Sequence, residues 1–208
     1  MKDLILLNCE QGSEEWRNAR LGIPTASQFN RIVTSTGKPS GQSQGYLAEL
    51  LAEHATHIAQ DSYKSADMER GNELEDQARA RYELTTGNDV VEVGGVYLDE
   101  HRTVMASPDG LIPALKRGLE IKCPLMKTHI QYCWAGTLPT AYVLQVQGNM
   151  WVSGYKTWDF VSFCPEYTPQ PILIVTVQRD EKLIKIMDQS IRAFSKTLEA
   201  HKAALEAA

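Results

Sequence analysis

"SPDGLIPALKRGLEIKCP", Ser107 to Pro124, decides how the rest of the chain is read. Glu120 and Lys122 flank Ile121 in a run of strand-forming composition, and Asp109 lies between Pro108 and Gly110, a turn-forming pair. Side chains two apart on a strand face the same side, so Glu120 and Lys122 point together while Ile121 points into the core. Asp109 reaches that same face if its strand and the next are hairpin neighbours. Carboxylates and ammonium groups are costly to bury unless they pair with each other or bind a metal. A structural ion pair is one reading. The other is a metal site in which two carboxylates and a backbone carbonyl hold Mg2+, a hard cation that takes oxygen ligands. A lysine beside such a site can orient or deprotonate a water and stabilise charge on a phosphate. The buried context and the turn-held Asp109 favour the second reading, metal-assisted hydrolysis of a phosphodiester.

Outward from this stretch, "VVEVGGVYLD" and "TVMASPDG" read as two strands joined by a short turn, with "GLEIKCP" as a third. "TWDFVSFC" and "ILIVTVQ" supply two more, the second almost wholly apolar and therefore expected at the centre of the sheet. Upstream, Glu14 to Val33 reads as two short helices, with Thr25 and Gln28 spaced as a capping box so that a helix begins near Ala26. Residues 46–60 and 69–86 have helical character, and Gly87 marks the end of the second. Residues 127–134 and 140–153 return to helix. From Glu181 onward, Leu183, Ile186, Ile191, Phe194, Leu198 and Leu205 mark one face of a long helix. "TSTGKPSGQSQG", Thr34 to Gly45, is the one stretch of loop composition. The sum is an α/β fold, a central mixed sheet of about five strands flanked by helices, in a single domain over residues 1–208.

Composition narrows the class. At 208 residues the chain can bury a full core. No apolar run approaches the length of a membrane span. The opening "MKDLILLNCEQGSEEW" has too short an apolar core, and acids too early, for a signal peptide, so a cytoplasmic setting is expected. Cys9, Cys123, Cys133 and Cys164 form no CxxC pair, which argues for free thiols over a zinc or iron–sulfur site. None of the five histidines has metal-ligand spacing. A net charge of −5 excludes a general nucleic-acid coat but not a nuclease, since only the surface facing the backbone must be positive.

The motif "SPDG…LEIKCP" resembles the Asp…Glu-x-Lys core of the PD-(D/E)XK nuclease superfamily, whose restriction-endonuclease-like fold it then implies. More closely, the chain is similar to the phage lambda exonuclease and YqaJ-type viral recombinase nucleases. "EEWRNARLGIPTASQF" looks like that family's N-terminal Trp…Arg-x-Gly…Thr-Ala-Ser block. "RGNELEDQARARYELTTG" looks like its Gly…Glu helix, "AYVLQVQGNMWVSG" its Gln-x-Gln helix, and "VQRDEKLI" its C-terminal block. Five blocks in family order are a strong signal where any one alone is weak.

The resemblance implies roles. Asp109 and Glu120, with the carbonyl of Ile121, hold the metal; Lys122 positions the attacking water; Glu75 is the acid contributed from the helix, with Glu73 its competitor in the same turn. Arg20, Ser27, Ser107 and Gln145 match the positions that grip a 5′-terminal phosphate. For Arg20 alone, a surface salt bridge with Glu14 or Glu15 is an equally good reading. Trp16 is expected in the core and Gln147 behind the site. Met68 matches an apolar strand-separating wedge, although a lone Met before a helix is also ordinary packing. The implied activity is a Mg2+-dependent exonuclease, with Mn2+ expected to substitute and one or two ions per site. It digests one strand of linear duplex DNA from the 5′ end and leaves a 3′ single strand for a phage annealing protein. A ring of three chains around the DNA is implied as well. The loop 34–45 lies where relatives contact duplex, yet here Lys38 is its one charge, which is a departure. The rivals are a PD-(D/E)XK endonuclease cutting internally and a catalytically silent module that binds DNA ends.

Overall fold

The computed structural model describes residues 3–60 and 66–207, with backbone alone at 66–69 and 72. Two sheets organise it. The first is antiparallel, in the order β1 (Ile5–Leu7), β2 (Gly95–Tyr97) and β3 (Met105–Ala106). The second is mixed, in the order β4 (Gly110–Ile112), β5 (Arg117–Lys122), β6 (Thr157–Phe163) and β7 (Ile172–Gln178). The α/β class of the sequence reading holds, but the single sheet of about five strands divides into three and four. The reason lies at Ser107–Pro108. A proline there cannot donate to a ladder, so the chain leaves the first sheet at Ala106 and enters the second at Gly110.

β4 and β5 form a hairpin that pairs Gly110 with Leu119. Its turn is a short 3-10 segment, Pro113–Leu115, closed by Lys116 at a φ of 48°. β5 then runs parallel to β6, and β6 antiparallel to β7. The expectation that β7 is central is corrected, for it is an edge strand. Its apolar run has another cause. Ile172 and Ile174 pack against one core cluster and Val177 against the other, so each of its faces is partly covered.

Helices α1 (Glu14–Arg20), α2 (Ser43–Thr56), α3 (Ala66–Thr86), α4 (Met126–Ala135), α5 (Val143–Ser153) and α6 (Glu181–Glu206) surround the sheets. α1 begins where Ser13 Oγ accepts from Trp16 N at 3.1 Å, with acids in its first turn and arginines in its last, the arrangement the helix dipole favours. The capping box at Thr25 does not form. Residues Ala26–Arg31 make a 3-10 helix, and the Thr25 hydroxyl lies 3.3 Å from Ser27 Oγ. Ala78 and Tyr82 of α3 pack on Leu119 and Ile121, the odd-numbered face of β5. The even face carries Gly118, against which the Trp158 ring lies so closely that an added Cβ would sit 2.1 Å from it. Glu120 shares that face and meets α5. The buried stripe of α6 is Ile184, Met187, Ile191, Phe194 and Leu198, so Ile186 and Leu205 of the expected face are exposed instead.

Candidate active site

The hairpin brings Asp109 opposite Glu120. Asp109 N donates to Leu119 O at 3.1 Å, and its Oδ2 accepts from Ile121 N at 2.6 Å. The carboxylate is thus pinned to the N–H of Ile121, the residue whose own carbonyl is the expected third ligand. Glu120 is completely buried. Its Oε1 lies 2.5 Å from Lys122 Nζ and accepts from Gln145 Nε2 at 2.5 Å, while Oε2 accepts from Asn149 Nδ2 at 3.0 Å. Gln145 and Asn149 are one turn apart on α5, so a single helix face supplies both amides.

Electrostatics mark the cluster as short of positive charge. Burial first, and the Asp109 charge second, push Glu75 up to about 7. Burial likewise lifts Glu120 to about 7 against the pull of Lys122, and raises Asp109. Burial pulls Lys122 down, yet Glu120 and Asp109 more than offset it and its ammonium is held above the ordinary lysine range. Lys122 is therefore a fixed cation and a donor. Glu75 reaches the cluster from α3, held by Arg79, whose Nη2 donates to its Oε1 at 2.9 Å while Nε donates to Asp109 O at 3.2 Å. Glu73, its competitor, is exposed.

Carboxylates whose pKa is raised by burial, and a donor set made wholly of oxygens, fit a hard divalent cation. Among the described residues no three His, Cys, Asp or Glu side chains converge into a cage. Mg2+ does not ask for one, since it keeps several waters and uses one or two carboxylates together with substrate phosphates.

The predicted phosphate grip is brought together only in part. Arg20 Nη1 donates to Ser107 Oγ at 2.8 Å, and its guanidinium stacks 4.3 Å above the Trp16 ring. Trp16 is half-buried rather than core, and its Nε1 donates to Gly94 O at 2.9 Å. It serves as a platform, and no ion pair with Glu14 or Glu15 replaces it. Ser27 is exposed at the start of its 3-10 turn, and a bridge between Thr25 and Met105 ties that turn to the strand leading to Ser107. The Gln145 amide turns to Glu120. Gln147 joins α5 to the β7–α6 turn, donating to Gln178 O and accepting from Asp180 N, both at 2.9 Å. The Met68 side chain lies outside the described residues.

Residues 15–156 match the YqaJ-like viral recombinase domain. The chain belongs to that family. This YqaJ-family chain is 35% identical to an alkaline exonuclease, LHK-Exo, from Laribacter hongkongensis. The TM-score is 0.83, over 93% of this chain and 96% of that one. The same exonuclease in complex with dAMP gives 36% identity at the same TM-score. A phage-related exonuclease from Haemophilus somnus 129PT, at 18% identity and a TM-score of 0.69 over 91% of this chain and 99% of that one, shares the fold. ExoD of Escherichia coli (strain K12) is 30% identical over 57 residues, a stretch taking in 27% of this chain and 66% of ExoD, just under two thirds of its length. Family and fold are those of a nuclease.

Asn149 and Arg79 are the residues of this YqaJ-type site that the sequence reading missed. The available signal was spacing, since each lies four residues from a named candidate, Gln145 and Glu75, on an expected helix.

Proposed function

We propose that this protein is a Mg2+-dependent 5′→3′ exonuclease, a single domain that degrades one strand of linear duplex DNA from 5′-phosphorylated ends. The observation that carries the reading is the tie between its two halves. Ser107, which holds Arg20, and Asp109, which pairs with Ile121 N, are separated only by Pro108. A group that grips a terminal phosphate and a group that holds a metal thus share one short, stiff segment.

In this reading Asp109, Glu120 and the Ile121 carbonyl would hold Mg2+, which would supply a Lewis acid and a water of lowered pKa. Lys122, charged and donating, orients the attacking water and offsets charge on the phosphate. Gln145 and Asn149 keep both Glu120 oxygens in place. Water attacks phosphorus and the bond to the 3′ oxygen of the terminal nucleotide breaks. A mononucleotide leaves, and a new 5′-phosphate remains for Arg20 and Ser107 to take. The dAMP held by LHK-Exo is a mononucleotide of this kind. The 3′ strand left behind would serve a phage single-strand annealing protein, in the cytoplasm of a bacterial or phage-infected cell, and three chains would form a ring on the DNA. Among the described residues no helix is long and apolar enough to cross a membrane.

The test is one gel. End-labelled linear duplex, with Mg2+, Mn2+ or EDTA, should lose its 5′-phosphorylated strand as mononucleotides in either metal and stay intact in EDTA. Closed-circular duplex should survive. Cutting of the circle would establish the endonuclease reading, and intact linear DNA in both metals would establish the silent end-binding one.

A further inference from the structure

Arg79 is one of very few charged side chains that the described part of the fold buries, at 9% exposed. Its guanidinium meets four oxygens-bearing neighbours. Nη1 donates to Asp76 Oδ1 at 2.8 Å and lies 3.2 Å from Glu92 Oε2; Nη2 donates to Glu75 Oε1 at 2.9 Å; Nε donates to Asp109 O at 3.2 Å. The Asp76 and Glu92 side chains are 91% and 67% exposed, and ion pairs so open to water contribute little. Burying a guanidinium for their sake would be a net cost. The inward contacts explain the burial. Glu75 and Asp109 belong to the proposed site, and one planar group holds the side chain of the first and the peptide of the second.

We infer that Arg79 is a positioning residue for the metal site, fixing Glu75 and the Asp109 backbone relative to each other. The inference rests on the proposal that Asp109 and Glu120 hold a metal. Arg79 sits one turn after Glu75 on α3, beside Ala78, which packs in the core cluster under β5. The base of the guanidinium therefore cannot drift, and the Glu75 rotamer is set from a rigid surface. A helix tether alone would need one bond to a carbonyl. The fork does more, because Nη2 of the same planar group orients a carboxylate while Nε holds the carbonyl. A lysine would bring the charge without the planar fork.

Groups that orient metal ligands typically matter about 10- to 100-fold in metal affinity. Arg79→Lys and Arg79→Gln, in the full chain, should raise the Mn2+ concentration for half-saturation at least about tenfold. That is read without DNA, from the electron paramagnetic resonance of free Mn2+. The Mg2+ needed for half-maximal cleavage should rise in step, while kcat at saturating metal falls less. A thermal melt of each variant with EDTA accompanies the titration, and Arg79→Lys should melt within a few degrees of wild type. Should Arg79→Gln fail to fold, Arg79→Lys decides. Wild-type Mn2+ binding by Arg79→Lys, alongside lost binding in Asp109→Ala, would overturn the inference and leave the metal site standing. Wild-type binding by Asp109→Ala would overturn the metal site itself.

Discussion

Glu120 shows how much a single residue asks of its surroundings. A carboxylate with no exposure needs a donor for each oxygen, and Lys122, Gln145 and Asn149 provide them. Removing the Asn149 amide leaves a buried Oε2 without its donor, at a cost of about 1–3 kcal/mol. Asn149→Ala should accordingly lower the melting temperature of the metal-free protein by several degrees, and an unchanged melt would mean that water replaces the amide. Arg20 poses a different question, because stacking on Trp16 and bonding Ser107 leaves its fork preorganised for an anion. Losing one charge-assisted bond costs roughly 1.5–3 kcal/mol, or about ten- to a hundred-fold in rate. Arg20→Ala should slow digestion of 5′-phosphorylated duplex by that factor and matter little on 5′-hydroxyl ends. Equal slowing of both substrates would make Arg20 a general backbone contact. At this scale the sequence was informative wherever period fixed direction. Asp109, Glu120 and Lys122 follow from strand alternation and a turn. Gln145, Asn149 and Arg79 do not, since a helix offers several exposed directions and only the packed neighbour shows which one the site uses.

Elements set the distances within which those residues act. β5 can approach β6 because Gly118 leaves room for the Trp158 ring, and a Cβ there would stand 2.1 Å from it. Gly118→Ala must push either strand or ring, and overpacking of this kind costs about 1–3 kcal/mol. Its mark should be a lower melting temperature together with lost cleavage, since Glu120 lies two residues along the same strand. α3 is anchored separately. Arg70 donates to Cys123 O at 3.1 Å and to both oxygens of Glu166 at 2.8 and 2.9 Å, clamping the helix to the end of β5. The Arg70 bonds hold the Glu166 carboxyl down to about 2, below the usual 4.5. A depressed carboxylate adds stability that is fully present above about pH 4.5 and lost as pH falls through about 2. Glu166→Gln should flatten the acid-unfolding profile across that window; because the pair is exposed, its effect at neutral pH should be small. A profile of unchanged steepness would show that other carboxylates govern acid unfolding. Periodicity makes most elements legible in the sequence, yet not the break into two sheets or the edge position of β7. Pro108 ends one ladder without showing which strand the chain pairs with next, and the cover on both sides of β7 is a fact of tertiary packing.

The whole molecule presents a problem that no single site solves. The proposed exonuclease asks a chain of net charge −5 to stay on a polyanion through many cleavages, and attraction to phosphates weakens steeply with salt. Enclosure is the alternative, for a closed ring is held by topology whatever the ionic strength. The apolar stripe of α6 cannot be what closes it, because Ile184, Met187, Ile191, Phe194 and Leu198 are buried within the chain itself. Large apolar side chains do remain exposed elsewhere, notably Leu84 at 82% and Trp134 at 81%. The proposed ring makes two separable demands. Light scattering should report a mass of three chains at micromolar concentration. Initiation on a DNA end, being electrostatic, should slow as salt rises from about 50 to 200 mM, while the number of nucleotides removed per encounter should stay nearly constant. The two quantities are read together in a single-turnover digestion of a long labelled duplex with an excess of unlabelled ends as trap. A monomer, or a processive length that falls with salt as steeply as initiation does, would mean that charge holds the enzyme to DNA and that no ring encloses it.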